Sequence, residues 1–310
     1  MSGADAPVAD LVTVRDWLRY GVSEFTRAGL VFGHGTASAL DEAAFLILMA
    51  LQLPIDTLEP WLDARLTVAE RTAVCGLFRA RIETRKPAAY LVNAAFIQGH
   101  KFYVDERVIV PRSYIGELIC GGGLEAVMPE PEGVKRVLDV CTGSGCLAIL
   151  AALAFPEAEV DAVELSGDAL AVAARNVDDY GLKGRVKLYE SDLFAALEPG
   201  RRYDLIIANP PYVASAEVAA FAPEYRAEPV LAHQGGADGL DLVRRIIDGA
   251  AERLTSNGTL IIEIGTGREA LEVAYPHLDF LWLDTETSEG EVAAISAAAL
   301  TGSGRKVRRA

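Results

Sequence analysis

RVLDVCTGSGCLAILAALAF, residues 136–155, decides the fold. Val137, Leu138 and Val140 form a short apolar, partly β-branched run of the kind that makes a buried strand. Gly143 and Gly145 stand two apart, so the backbone can turn sharply and approach a ligand without a Cβ in the way. Cys146 to Phe155 then reads as an apolar helix, whose first amide N–H groups favour a negatively charged neighbour. Outward from this strand–turn–helix, further strands are predicted at EVDAVEL (159–165), RVKLYE (185–190), YDLIIA (203–208), TLIIEI (259–264) and FLWL (280–283). Helical stretches lie between most of them, including 168–180 and 239–254. Such alternation predicts an α/β fold, a mainly parallel sheet covered on both faces. Doubly wound sheets bind ligands beyond the carboxyl ends of their strands, where the strand order reverses. The residues just after each strand are therefore the ones to read.

Upstream, the pattern is helical as far as about Arg85. Val14, Trp17, Leu18, Val22 and Phe25 fall on one face of a helix over 12–28. Residues 40–53 form an apolar helix ended by Pro54. Thr67 can cap a third helix, with Glu70 as its capping-box partner. Between Ala88 and Val110 the period changes. Phe102, Val104, Val108 and Val110 alternate with polar neighbours, which predicts strands with a turn at Asp105-Glu106. Gly121-Gly122-Gly123 and the Pro129/Pro131 stretch mark a loop, and the terminal GRKVRRA is a basic, solvated tail.

The 310 residues carry 29 Lys+Arg against 44 Asp+Glu, a net charge of −15. That balance argues against indiscriminate binding to nucleic acid or anionic membranes, which need a cationic surface, and suits a basic partner. It also simply keeps a protein soluble. Cys75, Cys120, Cys141 and Cys146 lack the paired spacing of a zinc site, so no metal is expected. No secretion signal precedes Tyr20 and no apolar run reaches spanning length, which predicts a cytoplasmic protein. The sequon at Asn257 is then incidental.

Four strand ends carry chemistry. The first, Asp139-Val140-Cys141-Thr142-Gly143-Ser144-Gly145, extends to Ala148 as a formal dinucleotide fingerprint. The second ends at Glu164, whose carboxylate can accept hydrogen bonds from both ribose hydroxyls. After the third come Asp192, a candidate acceptor for the adenine amine, and the apolar Leu193. The fourth ends in Asn209-Pro210-Pro211-Tyr212. Two prolines fix φ and remove two donors, leaving rigid carbonyl acceptors. With the Asn209 side-chain carbonyl and the flat face of Tyr212, this is a cradle for a planar group bearing NH₂.

These motifs resemble a class I S-adenosylmethionine-dependent methyltransferase of the amino-group type. FGHGT (32–36), AAYL (88–91), FYVDER (102–107), VPRS (110–113) and GGADGLDL (235–242) extend the likeness over nearly the whole chain. They resemble the protein-(glutamine-N5) methyltransferases, with FGHGT and FYVDERVIVPRS pointing to the branch that acts on large-subunit ribosomal protein three. The resemblance implies a helical substrate-recognition domain (1–86), a β-hairpin linker (87–112), a seven-stranded Rossmann-like methyltransferase domain (113–302) and a tail (303–310). It implies S-adenosylmethionine held by Asp139, Cys141, Thr142, Gly143, Ser144, Gly145, Glu164, Asp192, Leu193 and Asn209. Catalysis falls to Asn209, Pro210, Pro211 and Tyr212, and the substrate is a basic ribosomal protein rather than nucleic acid or a membrane component. Three positions depart from the family pattern. Cys141 replaces a common glycine, which an ordinary negative φ would tolerate. Leu193 replaces an aromatic residue, and Tyr114 stands where proline is expected. The last strand of the family falls on EVAAISAAAL (291–300), whose local propensity is helical.

The implied reaction is methyl transfer to the side-chain amide nitrogen of a glutamine. Asn209 Oδ1 and the Pro210 carbonyl would hold the two N–H groups, and Tyr212 would orient the amide plane. Acidity is expected to gather near Asn209–Tyr212 and on the N-terminal domain. Other readings stay open on the residues alone: a release-factor glutamine methyltransferase, an enzyme methylating an exocyclic amine of nucleic acid, an NAD-dependent oxidoreductase built on the glycine turn, or a non-catalytic binding protein.

Overall fold

Strand β3, Arg136–Val140, lies at the middle of a seven-stranded sheet in the computed structural model, which describes residues 6–128 and 133–302. The expected Pro129/Pro131 loop and basic tail fall outside the described residues. In chain order the other strands are β1 (Ala95–Ile97), β2 (His100–Phe102), β4 (Glu159–Glu164), β5 (Val186–Glu190), β6 (Tyr203–Ala208), β7 (Leu254–Glu263), β8 (Leu281–Leu283) and β9 (Val292–Ser296). The large sheet runs β5-β4-β3-β6-β7-β9-β8, parallel except for the antiparallel pairs β7–β9 and β8–β9. This is the expected Rossmann-like α/β sheet. Its strand order reverses between β3 and β6, where Val140 pairs with Ala208. Cys141 and Asn209 therefore leave the sheet beside each other.

β9 resolves the conflict between local propensity and fold. Val292, Ala293, Ala294 and Ile295 are buried against β7 and β8, so pairing on both edges overrides helix preference. That preference returns at Ala297–Leu300, a short helix capped by Ser296.

The chain divides into two compact units. One comprises Met1–Ala95, Val104–Glu106 and Phe221–Glu228; the other holds Phe96–Tyr103, Arg107–Ala220 and Pro229–Ala310. In the first, helices Val14–Arg27, Ala39–Ala50 and Val68–Thr84 pack around Trp17, Phe25, Leu46, Ile47 and Phe78. Thr67 and Glu70 make the expected capping box, and Thr13 makes a second with Asp16. Gly21 has a packing reason, since a Cβ there would lie 2.6 Å from the Phe78 ring.

The FGHGT segment receives the excursion Phe221–Glu228 within this unit. A Cβ on Gly33 would meet the Tyr225 hydroxyl at 2.5 Å, and the His34 ring lies 4.2 Å from the Tyr225 ring. Buried Arg81 donates to Glu42 at 2.6 Å, and Arg85 pairs with Glu224 at 2.7 Å. Burial raises the Glu42 carboxyl above its ordinary value despite Arg81. Removing one partner of such a set leaves a charge buried alone.

The region between Ala88 and Val110 differs from the sequence reading. Ala88–Val92 is a helix, and the strands β1 and β2 meet at Gln98-Gly99, both at positive φ (50° and 76°), a turn matched to strand twist. No strand forms over Val104–Val110, and Asp105-Glu106 is not the hairpin turn. Alternation there reflects burial of Val104, Val108 and Val110 in an irregular segment, not a sheet.

Candidate active site

A cleft with about 860 Å³ of non-atom space, part of it open to solvent, lies at the carboxyl ends of β3, β4, β5 and β6. Of the residues singled out by the sequence, Cys141, Gly143, Glu164, Asp192, Leu193, Asn209 and Pro211 line it. Asp139, Thr142, Ser144, Gly145, Pro210 and Tyr212 are not among its lining residues. Arg107, Val108, Ile109, Pro229, Leu231 and Ala232 also line the cleft, and motif spacing gave no signal for the last three.

The turn after β3 is built locally. Asp139 is fully buried, accepts from the Thr142 hydroxyl, and accepts the Ala148 amide at 3.0 Å. It thereby pins the glycine turn to the helix Cys146–Ala154. Burial, with a smaller contribution from the Glu164 charge, pushes the Asp139 carboxyl up to about 7. Gly145 sits at φ +80°, where an added Cβ would lie 3.1 Å from Ala173. Asn176 holds the turn from outside: its Nδ2 donates to the Ser144 carbonyl at 2.8 Å, and its Oδ1 accepts the Tyr103 amide at 2.8 Å. Sequence reasoning missed Asn176, since an asparagine inside a helix carries no motif.

Cys141 contradicts the expectation of an ordinary backbone. Its φ is +61°, in the left-handed region that favours glycine, so the family's glycine has a conformational reason and cysteine carries strain there. Burial raises its thiol well above the usual range, with Glu164, Asp139 and Asp192 adding to the effect, so the sulfur is no thiolate nucleophile.

Glu164 accepts the Gly143 amide at 3.0 Å on one oxygen and the Leu165 and Ser166 amides at 2.9 and 3.0 Å on the other. Three backbone donors fix its orientation, two on Oε1 and one on Oε2, and leave one lone pair on Oε2 to offer. Asp192 is half-exposed, with both oxygens accepting from Arg245 at 2.8–2.9 Å. Leu193 is buried at φ +49°. Among the described residues the lining holds no aromatic ring; flat apolar contact comes from leucine, isoleucine, valine and proline.

The turn after β6 is held from a distance. Asn209 Nδ2 donates one N–H to the Arg112 carbonyl at 3.2 Å, which fixes the side chain with its acceptor Oδ1 and second N–H left to offer. The Tyr212 hydroxyl donates to Glu263 Oε1 at 3.0 Å. Burial, reinforced by Glu263, moves the Tyr212 phenol well above its ordinary range and keeps it protonated. Its ring lies over Gly265, where a Cβ would be 2.8 Å away. Its carbonyl is approached so closely by Gly239 that a Cβ there would lie 2.3 Å from the oxygen. GGADGLDL (235–242) is thus the backing of the Asn209–Tyr212 turn. Tyr114, the departure from proline, has a use: its amide donates to Glu263 Oε2 at 3.0 Å, which proline could not do.

The family model described as "Methyltransferase small domain" matches residues 124–224. Curated relatives named ribosomal protein uL3 glutamine methyltransferase include that of Bradyrhizobium diazoefficiens, 57% identical over 94% of this chain and 92% of its own length. Another is from Burkholderia pseudomallei, 54% identical over 93% of this chain and 95% of the relative. A third is from Bordetella pertussis, at 53% over 91% and 94%. Among solved structures, the ribosomal protein L11 methylase of Lactobacillus delbrueckii subsp. bulgaricus matches 60% of this chain and 79% of its own at 20% identity, TM-score 0.41.

Proposed function

Starting from the fact that the chain belongs to the ribosomal protein uL3 glutamine methyltransferase family, we propose that it transfers a methyl group from S-adenosylmethionine to the N5 side-chain amide nitrogen of a glutamine in that large-subunit protein. The observation that carries this reading is the pairing of Val140 with Ala208, which sets the carboxylate-lined cleft after β3 beside the Asn209–Tyr212 turn after β6.

The cleft fits the cofactor. Glu164 keeps a lone pair on Oε2 for a ribose hydroxyl, Asp192 has acceptor oxygens for an adenine amine, and Val108, Leu165 and Leu193 offer apolar faces to the base. Cys141 and Gly143 line the floor, with Asp139, Thr142, Ser144 and Gly145 shaping the turn beneath. S-Adenosylmethionine supplies an electrophilic methyl group on a sulfonium centre.

An amide nitrogen is a poor nucleophile because its lone pair is delocalised into the carbonyl. Asn209 Oδ1 and the Pro210 carbonyl would accept its two N–H groups and turn the nitrogen's face toward the methyl donor. Alignment of this kind can contribute several kcal/mol, within the roughly 7–11 kcal/mol available to ideal positioning. Accepted hydrogen bonds also favour the positive charge that develops on nitrogen. Pro210 and Pro211 keep the acceptors rigid, and Tyr212 holds the amide plane by stacking. The nitrogen, made acidic by methylation, would release its proton late, to water or to the surroundings of Asn209.

We assign substrate recognition to the helical unit and place the reaction in the cytoplasm; among the described residues no helix is long and apolar enough to cross a membrane. A basic ribosomal protein suits the net charge. The helical unit (1–95, 104–106 and 221–228) holds ten basic against fifteen acidic side chains and the rest of the chain nineteen against twenty-nine, so the acidity is shared between the units nearly in proportion to their length. Electrostatic attraction would then draw on both units, with no gathering of charge on one of them.

The test is incubation with labelled S-adenosylmethionine and, in parallel, purified uL3, a peptide release factor and protein-free ribosomal RNA. Label on one glutamine of uL3 is expected. Label on the release factor or the RNA instead would replace this reading.

A further inference from the structure

Three donors from two distant segments converge on one buried carboxylate. Glu263, at the carboxyl end of β7, is 1% exposed. Its Oε1 accepts the Tyr212 hydroxyl at 3.0 Å; its Oε2 accepts the Ser113 hydroxyl at 2.7 Å and the Tyr114 amide at 3.0 Å. The neighbouring Arg112 carbonyl accepts from Asn209 Nδ2 at 3.2 Å. Residues 112–114 thus touch the cradle twice, once directly at Asn209 and once through Glu263 at Tyr212.

We propose that Glu263 is the positioning residue of the acceptor cradle, setting the Tyr212 ring and the Arg112–Tyr114 segment against Asn209 so that a substrate amide meets acceptors already fixed in place. The inference rests on the glutamine reading above and deepens it. Glu263 would touch no substrate atom; it acts through Tyr212 and residues 112–114. Its chemistry suits the task. A carboxylate is an acceptor-only group with two oxygens, so it can serve all three donors at once. Glutamine in its place would keep the shape but turn an NH₂ group toward donors. A ring hydrogen-bonded at its hydroxyl and packed on Gly265 cannot swing, whereas a phenylalanine there would keep packing and lose the anchor. A misplacement of about 1 Å at a reacting group can cost on the order of a hundredfold in rate.

The experiment measures kcat, KM for the glutamine substrate, S-adenosylmethionine affinity and melting temperature in wild type, Glu263→Gln, Tyr212→Phe, their double variant and Ser113→Ala. Wild type is assayed first: no transfer to glutamine defeats the functional reading, whereas transfer undiminished by Glu263→Gln overturns this inference alone. Glu263→Gln should lower kcat about tenfold to a hundredfold, with cofactor affinity changed less than about twofold. In the Tyr212→Phe background the same substitution should cost clearly less than in the wild type, because only its hold on Ser113 and Tyr114 is left to lose. Losses that multiply in full, or a fall in cofactor affinity parallel to kcat, would make Glu263 general scaffolding and overturn the proposal. Should Glu263→Gln not fold, Tyr212→Phe and Ser113→Ala carry the test, each removing one donor. Both should lower kcat at unchanged cofactor affinity; wild-type kcat in both would contradict the proposal.

Discussion

The turn after β3 and the turn after β6 start from paired residues, Val140 and Ala208, yet their braces come from different distances along the chain. The first has a local core: Asp139 ties Thr142 and Ala148 across nine residues, positive φ at Cys141, Gly143 and Gly145 gives it shape, and Glu164 and Asn176 add braces from 21 and 32 residues away. The second has its prolines for stiffness and is otherwise anchored from outside, by Arg112 at a separation of 97 residues and Glu263 at 51. A turn whose braces lie within a few tens of residues can be built as a nearly local unit. An acceptor differs between families, and a turn braced by loops elsewhere can be re-aimed by changing those loops while the cofactor side stays intact.

If the two turns are separable in this way, substitutions should fall into two kinds. The largest effect is expected at Asn209. Asn209→Ala should lower turnover about 10²–10³-fold, the cost of removing one preorganised polar group, while cofactor affinity stays within several-fold. Isotope transfer and calorimetry measure the two. Equal loss in both would erase the distinction between the turns.

Asp139 comes next and should act on stability. Its carboxyl holds its proton up to about 7, against an ordinary value of 3.8. Above pH 4 the unfolded chain releases this proton while the folded one keeps it. The resulting stability is therefore fully present in acid and is lost as pH rises through about 7. Relative to Asp139→Asn, the wild-type protein should lose up to about 4 kcal/mol between pH 4 and pH 8. Denaturant titrations across that range check it, and parallel curves for the two proteins would refute it.

A smaller effect is expected at Glu164, where Glu164→Gln should weaken cofactor binding about tenfold, near 1.4 kcal/mol, with turnover at saturation little changed. The smallest tests the strained backbone. At Cys141, glycine should be more stable than alanine by about 0.5–1 kcal/mol, reversing their usual order, because only glycine relieves φ +61°. Thermal melts of Cys141→Gly and Cys141→Ala decide it.

The same contrast explains what was legible in the sequence. The glycine turn, Glu164 and the apolar strands announce themselves because their partners lie close in the chain or repeat with a strand's period. Asn209–Tyr212 was legible as a rigid turn rich in acceptors, since adjacent prolines at a strand end fix φ and remove two donors. What holds that cradle was not. Glu263 sits in an apolar strand end, Arg112 contributes only a carbonyl, and Gly239 and Gly265 matter through what they leave room for. The hairpin was misplaced for a related reason. Gln98-Gly99 is a weak turn signal beside Asp105-Glu106, and burial of Val104, Val108 and Val110 imitates a strand. The placement of the Phe221–Glu228 excursion among the helices likewise depends on Gly33, Arg81 and Arg85, more than a hundred residues earlier.

Mass spectrometry of uL3 after incubation with the purified protein and S-adenosylmethionine tests the central claim most directly, with the Asn209→Ala variant run alongside. One added methyl group on a single glutamine side chain, present with the wild-type protein and nearly absent with the variant, is the expected result. An unmodified uL3, or a methyl group that Asn209→Ala installs equally fast, would contradict the claim that the Asn209–Tyr212 cradle presents a glutamine amide for transfer.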